Sequence, residues 1–152
     1  MALVAPVSAA SAQGPVDACA LLGRGEFQAL TGKTEYADPT VVPWSGGTLC
    51  AFVAGHISLL TGADSTARMD QFLAAAERDL VSPRTPVDSL GDGAYSVLFD
   101  PEDPYQDHGA FVVFGAGPPT IAVAVYGDDG EAPAAVLPAA LAVAQAVTAK
   151  LP

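Results

Sequence analysis

From Val87 to Tyr126 the chain alternates between short apolar runs and turn-forming residues. The runs are Ala94 to Phe99, Ala110 to Phe114 and Thr120 to Tyr126. Each is rich in β-branched and aromatic residues and bounded by Gly, Pro or Asp, the pattern of strands in a sheet. In the last run Ile121, Val123 and Val125 fall on one face, and Ala122 and Ala124 on the other. The segment Gly115-Ala-Gly-Pro-Pro119 closes a hairpin between the second and third runs. Upstream, Leu49 to Leu60 reads as one continuous apolar strand with His56 near its end. Between these regions Met69, Phe72, Leu73, Ala76 and Leu80 recur at helical spacing. They form one apolar stripe, with Arg68, Asp70, Glu77 and Arg78 off it and Asp64 or Ser65 as the cap.

At the start of the domain, Asp17 caps a first turn carrying Leu21 and Leu22. Glu26 to Leu30 forms a second short helix ended by Gly32, with Leu22, Phe27 and Leu30 directed to the core. Lys33 to Thr48 is a polar, proline-containing connector. After a turn at Gly127 to Gly130, an alanine-rich helix is expected over Ala134 to Lys150. Its stripe is Leu137, Leu141, Ala144, Thr148 and Leu151, and Pro138 is tolerated in the first turn. No charge interrupts Ala132 to Ala149, so a membrane span has to be weighed. Alanine is only weakly apolar, the large aliphatics lie on one side and a proline sits in the first third. A helix covering a sheet therefore explains the segment better, and no transmembrane segment is expected. The order helix, strand, helix, three strands, helix gives an α+β fold: an antiparallel sheet of about four to five strands with helices packed on one face. Residues 15–152 read as a single domain, and residues 1–14 as a leader remnant or flexible tail.

Charge and cysteine content narrow the function. Seventeen Asp and Glu stand against six Lys and Arg in 152 residues, a formal net charge of −11. Such a surface repels phosphate backbones, so no nucleic-acid partner is expected. Ala10-Ser11-Ala12 ahead of Gln13 is an A-x-A cleavage pattern, and Ala2 to Val7 is a short apolar run, though no basic residues precede it. The segment is either the tail of a signal peptide or an ordinary Ala/Ser terminus. Cys19 and Cys50 are the two cysteines, and an exported chain with an even count pairs them. Lipid attachment at Cys19 is disfavoured by Asp17 just ahead of it, and would leave Cys50 alone. There is no C-x-x-C and no metal-type cysteine pair.

Three segments together resemble a known group. They are Cys19-Ala-Leu-Leu with Glu26 and Gly32 leading to Cys50; Ser89-Leu-Gly-Asp-Gly-Ala-Tyr95; and the amphipathic helix ending near Leu151-Pro152. The pattern resembles the small secreted or lipid-anchored envelope proteins of high-GC Gram-positive bacteria, many of unknown function. The resemblance covers nearly the whole mature chain and implies envelope location and fold rather than mechanism. The sequence departs from it at Gly23, where Thr or Ser is expected, and in the acidic loop after Phe99. It brings no catalytic residues with it.

The densest chemistry is Asp100-Pro-Glu-Asp-Pro-Tyr-Gln-Asp-His108. Asp100, Glu102, Asp103 and Asp107 offer hard oxygens of the kind calcium takes. Their spacing does not match an EF-hand loop and the prolines suit an extended solvated segment, so no metal or cofactor is assigned. The same loop is a surface that a basic partner could read. His56, within an apolar strand, reads as a satisfied, partly buried histidine. There is no G-x-S-x-G nucleophile elbow. Tyr36 and Trp44 sit in the connector, where Trp44 either covers one end of the core or serves a peptide or glycan as an aromatic platform. The expectation is an exported, non-enzymatic cell-envelope domain binding a protein, peptide, glycan or small ligand through Tyr36, Trp44, Asp100, Asp103, Asp107 and His108. The alternative is a hydrolase or metal-assisted enzyme using His108 and the adjacent carboxylates.

Overall fold

The computed structural model describes residues 17–44, 46–115 and 118–151; the leader reading of residues 1–14 lies outside them. Among the described residues seven strands form one antiparallel sheet. They are β1 (Thr40–Trp44), β2 (Gly47–Phe52), β3 (Gly55–Leu60), β4 (Thr85–Pro86), β5 (Tyr95–Phe99), β6 (Gly109–Phe114) and β7 (Thr120–Tyr126), in the spatial order β1-β2-β3-β7-β6-β5-β4. Two meanders therefore meet where β3 pairs with β7, with Ile57 opposite Val123. The α-helices are α1 (Arg24–Thr31), α2 (Ser65–Ala75) and α3 (Leu137–Lys150).

The α+β class and the antiparallel sheet agree with the sequence reading, but the strand count of four to five is corrected to seven. The expected connector contains β1, whose Val41 and Val42 are exposed and whose Pro43 lies opposite Thr48. An edge strand accepts proline and needs no buried face, so it leaves no alternating pattern to read. The expected single strand Leu49 to Leu60 folds back on itself at Val53 and Ala54. The device responsible is remote in sequence. Glu35 is 1% exposed, and its carboxylate accepts the Val53 and Ala54 backbone N–H groups, each at 2.8 Å. β4 is only two residues long, opposite Tyr95 and Ser96 of β5.

The expectation of helices on one face is also corrected, because both faces are covered. α1 and α3 lie over the face carrying Ile57, Leu59, Val112, Val123 and Val125. α2 lies on the opposite face, where Met69 and Leu73 meet Leu60, Val113, Ala122 and Ala124. Every residue of β6 is buried, as is β7 up to Val125, so neither side of the sheet centre can face water. On α3 the buried positions are Ala140, Val143, Ala144 and Val147. The expected stripe is thus rotated: Leu137 and Leu141 flank the contact, while alanines at its centre let the helix approach the sheet closely. Pro133–Lys150 is long and apolar enough by composition to cross a membrane; in the fold, its small-residue face is packed on β6 and β7.

Asp17 accepts the Cys19 N–H at 2.7 Å and opens a 3₁₀ turn over Ala18–Ala20. The Cys19–Cys50 disulfide ties that turn to β2, with Cα atoms 4.9 Å apart. α2 stops at Ala75, and a 3₁₀ turn over Glu77–Asp79 takes Leu80 off the helix to bridge Phe99. This early stop places Asp79 and Leu80 beside the end of β5.

Candidate functional site

On the α2 face the strand register lines up His56 (β3), Ala124 (β7) and Phe111 (β6) in one row. In the next row Phe99 (β5) and Tyr126 (β7) both oppose Gly109 (β6). Ala124 and Gly109 put little or no bulk between their larger neighbours, so the large rings of these two rows meet one another. A Cβ on Gly109 would fall 2.0 Å from the Val125 carbonyl oxygen, so no other residue fits there. The result is a cleft of about 230 Å³ whose walls include His56, Phe72, Phe99, Phe111 and Tyr126. Its rim is formed by Asp79, Pro101, Gln106 and Asp107.

The rings cross rather than stack. Phe99 and Tyr126 meet at 89° with centroids 6.3 Å apart, Phe72 and Phe111 at 79° and 6.2 Å, and Phe99 and Phe111 at 44° and 4.7 Å. In such crossed pairs the hydrogen-bearing edge of one ring meets the π-face of the other. His56 Nδ1 lies 2.8 Å from the Tyr126 hydroxyl; which of the two donates depends on the imidazole tautomer. Burial lowers the His56 pKa to about 4, so the ring is neutral at pH 7. Burial, reinforced by the Asp107 carboxylate, pushes the Tyr126 phenol up to about 12. The cleft is thus uncharged within and carries carboxylates at its mouth.

Two further clefts adjoin it through shared residues. One, of about 580 Å³, shares Asp79, Pro101 and Gln106 and adds Arg78, Glu102 and Asp103. The other, of about 370 Å³, shares Asp107 and Tyr126 and adds Lys33, Tyr36, Val53 and Asp128. Lys33 in that second cleft is held by Glu131 and by Asp128, the latter at 3.0 Å. Partial burial works against its charge, yet the two carboxylates outweigh it and the Lys33 pKa is raised. The same hydrogen bond holds the Glu131 carboxyl below its usual range. A separate cleft of about 430 Å³ lies at the β4–β5 edge, where the Arg84 guanidinium sits 4.5 Å above the Tyr95 ring.

The structure brings some of the sequence-selected residues together and separates others. Asp107 lines both the aromatic cleft and the cleft that contains Tyr36, which is 76% exposed. Asp103 accepts the Tyr105 N–H at 2.9 Å and lines the 580 Å³ cleft, while the Asp100 N–H donates to the Asp79 carbonyl at 2.8 Å. Trp44 lies at the far end of the α2-face core, edge-on to Phe72 at 5.2 Å, and reaches the aromatic cleft only through that ring. His108 is turned away: its Nε2 is 2.6 Å from the Glu131 carbonyl oxygen and rests against Gly127, where any side chain would collide with it. Among the described residues no three His, Cys, Asp or Glu side chains gather closely enough to hold a metal ion.

His56, Phe72, Phe99, Phe111 and Tyr126 read as core from their pattern, and nothing local to any of them marks a site. The available signal is that Phe99 and His108-Gly109 flank the acidic loop, so that the loop must lie over whatever the strand ends expose. Compared with known proteins, the chain matches no protein-family model, no curated protein and no solved structure.

Proposed function

We propose that this chain is an exported, non-enzymatic binding domain of the cell envelope. Its ligand lies along the acidic groove centred on the aromatic cleft. The carrying observation is that cleft: small and open, largely apolar, and lined by five aromatic side chains together with two carboxylates, a lining of the kind ligand sites use. The disulfide supports the export half, because such bridges persist in oxidising compartments. A hydrolase or metal-assisted enzyme has less to work with. His108 Nε2 is engaged by a main-chain carbonyl, and His56 is half-buried, neutral and paired with a phenol rather than with a nucleophile.

The test is a two-dimensional NMR screen of the labelled protein against separate panels of peptides, oligosaccharides and small organic molecules. Binders are expected to shift the amides of His56, Phe72, Phe111, Tyr126 and Asp107 together. If every binder mapped elsewhere, for example to Arg84 and Tyr95, the cleft assignment would be wrong. Turnover of any panel member that disappears in His108→Ala would replace the binding reading with the enzymatic one.

A further inference from the structure

Resting on that reading, we propose that the groove takes an extended basic segment of a polypeptide and that one arginine side chain is seated in the aromatic cleft. The argument begins with shape. The three clefts form one track through the residues they share, from Arg78 and Glu102, over the rings, to Tyr36 and Asp128. A track of this kind suits an extended chain better than a compact molecule, whereas the central cleft, at about 230 Å³, suits a single long side chain.

Charge selects the sign of the occupant. Asp79 and Asp107 line the central cleft, and Glu102 and Asp103 continue the same sign on one side, where they outnumber Arg78. Of the two cations along the track, Lys33 is already matched by Asp128 and Glu131. The whole chain carries −11, so a basic partner is attracted at long range and an acidic one is turned away. Chemistry selects arginine among cations. A guanidinium is planar, stacks on aromatic faces and offers five donors in a fixed fork, and it loses less hydration than an ammonium on leaving water. Phe72, the most exposed of the rings, and the half-buried Tyr126 supply aromatic surface, and Asp79 and Asp107 in the same lining supply carboxylates. Tyr105, 96% exposed, adds an accessible aromatic side chain to the acidic loop between β5 and β6.

The probe is a blocked peptide of about seven residues, Gly and Ser with two lysines around a central arginine, titrated into the full chain by calorimetry and NMR. Three comparison peptides replace the arginine with citrulline, lysine or glutamine, and N-acetyl-arginine amide stands for the isolated side chain. The arginine peptide is expected to bind about tenfold more tightly than the citrulline peptide, with shifts centred on Phe72, Phe111 and Tyr126. Asp107→Asn, an exposed and isosteric change, is expected to weaken it about threefold to tenfold while Trp44 fluorescence stays unchanged. Equal binding of the arginine and citrulline peptides would overturn the proposal, as would binding that Asp107→Asn leaves untouched. If N-acetyl-arginine amide bound as well as the peptide, the occupant would be a small cation and the polypeptide assignment would fail. Neutral ligands alone in the cleft would refute this inference but leave the binding function standing; no ligand of any panel in the cleft would remove both.

Discussion

Replacing Glu35 with glutamine tests whether one buried carboxylate sets the β2–β3 register. In the native chain the two carboxylate oxygens accept the Val53 and Ala54 N–H groups at 2.8 Å, and the Glu35 N–H donates to Gln28 Oε1 at 2.9 Å. Glu35→Gln keeps the shape but turns one acceptor into a donor, so that one turn amide loses its partner and faces another N–H. A hydrogen bond to a charged acceptor contributes about 1.5–3 kcal/mol, and a buried donor left unpaired adds to the loss. The turn is partly exposed, with Val53 38% accessible, so water recovers some of this. The expected cost is about 2 kcal/mol, which lowers Tm by about 4–8 °C in a domain of this size. The assay is equilibrium unfolding in guanidinium chloride with the disulfide intact, comparing wild type and Glu35→Gln by circular dichroism and Trp44 fluorescence. The m value should be unchanged and the midpoint lower. A difference below about 0.5 kcal/mol would show that the turn holds itself and that the carboxylate is incidental.

Removing the bridge with Cys19→Ala and Cys50→Ala, a sequence separation of 31, should cost about 3–4 kcal/mol by loop entropy; a loss below about 1 kcal/mol in thermal melts would mean that β2 and the 3₁₀ turn are held by packing alone. The depressed pKa of His56 makes stability fall in acid: the unfolded chain takes up a proton near pH 6.5 that the folded chain refuses until about pH 4. The contribution is fully present above pH 6.5 and shrinks toward pH 4, reaching a loss of about 2–3 kcal/mol. Tyr126, which pairs with the ring, and Asp107, which lines the same cleft, remain in His56→Asn, so comparing unfolding midpoints of the two proteins at pH 7 and 4.5 isolates the histidine; parallel profiles would refute it. Gly55→Ala should cost about 3 kcal/mol or prevent folding, because a Cβ there would lie 2.1 Å from the Ala124 carbonyl oxygen and 2.9 Å from the Phe27 ring. A variant of wild-type stability would show that β3 and β7 can separate locally without cost.

Local pattern determined much of this protein. The alternation in Thr120 to Tyr126, the helical stripe through Met69 and Leu73, Gly32 as a left-handed helix end with φ 72° and the pairing of two cysteines were all legible in the chain. Each depends on periods of two or about 3.6 residues, on a backbone angle that glycine accepts, or on a count. What escaped depends on contacts between distant residues. A strand with an exposed face and a proline, as at Thr40–Trp44, has no periodicity of its own and exists because β2 offers it an edge. The break at Val53 and Ala54 is set by a carboxylate eighteen and nineteen positions upstream. The buried face of α3 was misplaced because in an alanine-rich helix the sheet, not side-chain size, decides which side is covered.

The aromatic cleft follows the same rule. The sequence supplied the rings, the acidic loop and the small residues, and named Asp107 and Tyr36 as residues to watch. Only the register, which sets Ala124 between His56 and Phe111 and Gly109 between Phe99 and Tyr126, brings those rings together on the α2 face. Register is fixed by pairing across the whole sheet, and a shift of one residue would send those rings to the opposite face. The helices' choice of face was likewise tertiary, since a sheet centre apolar on both sides must be covered on both.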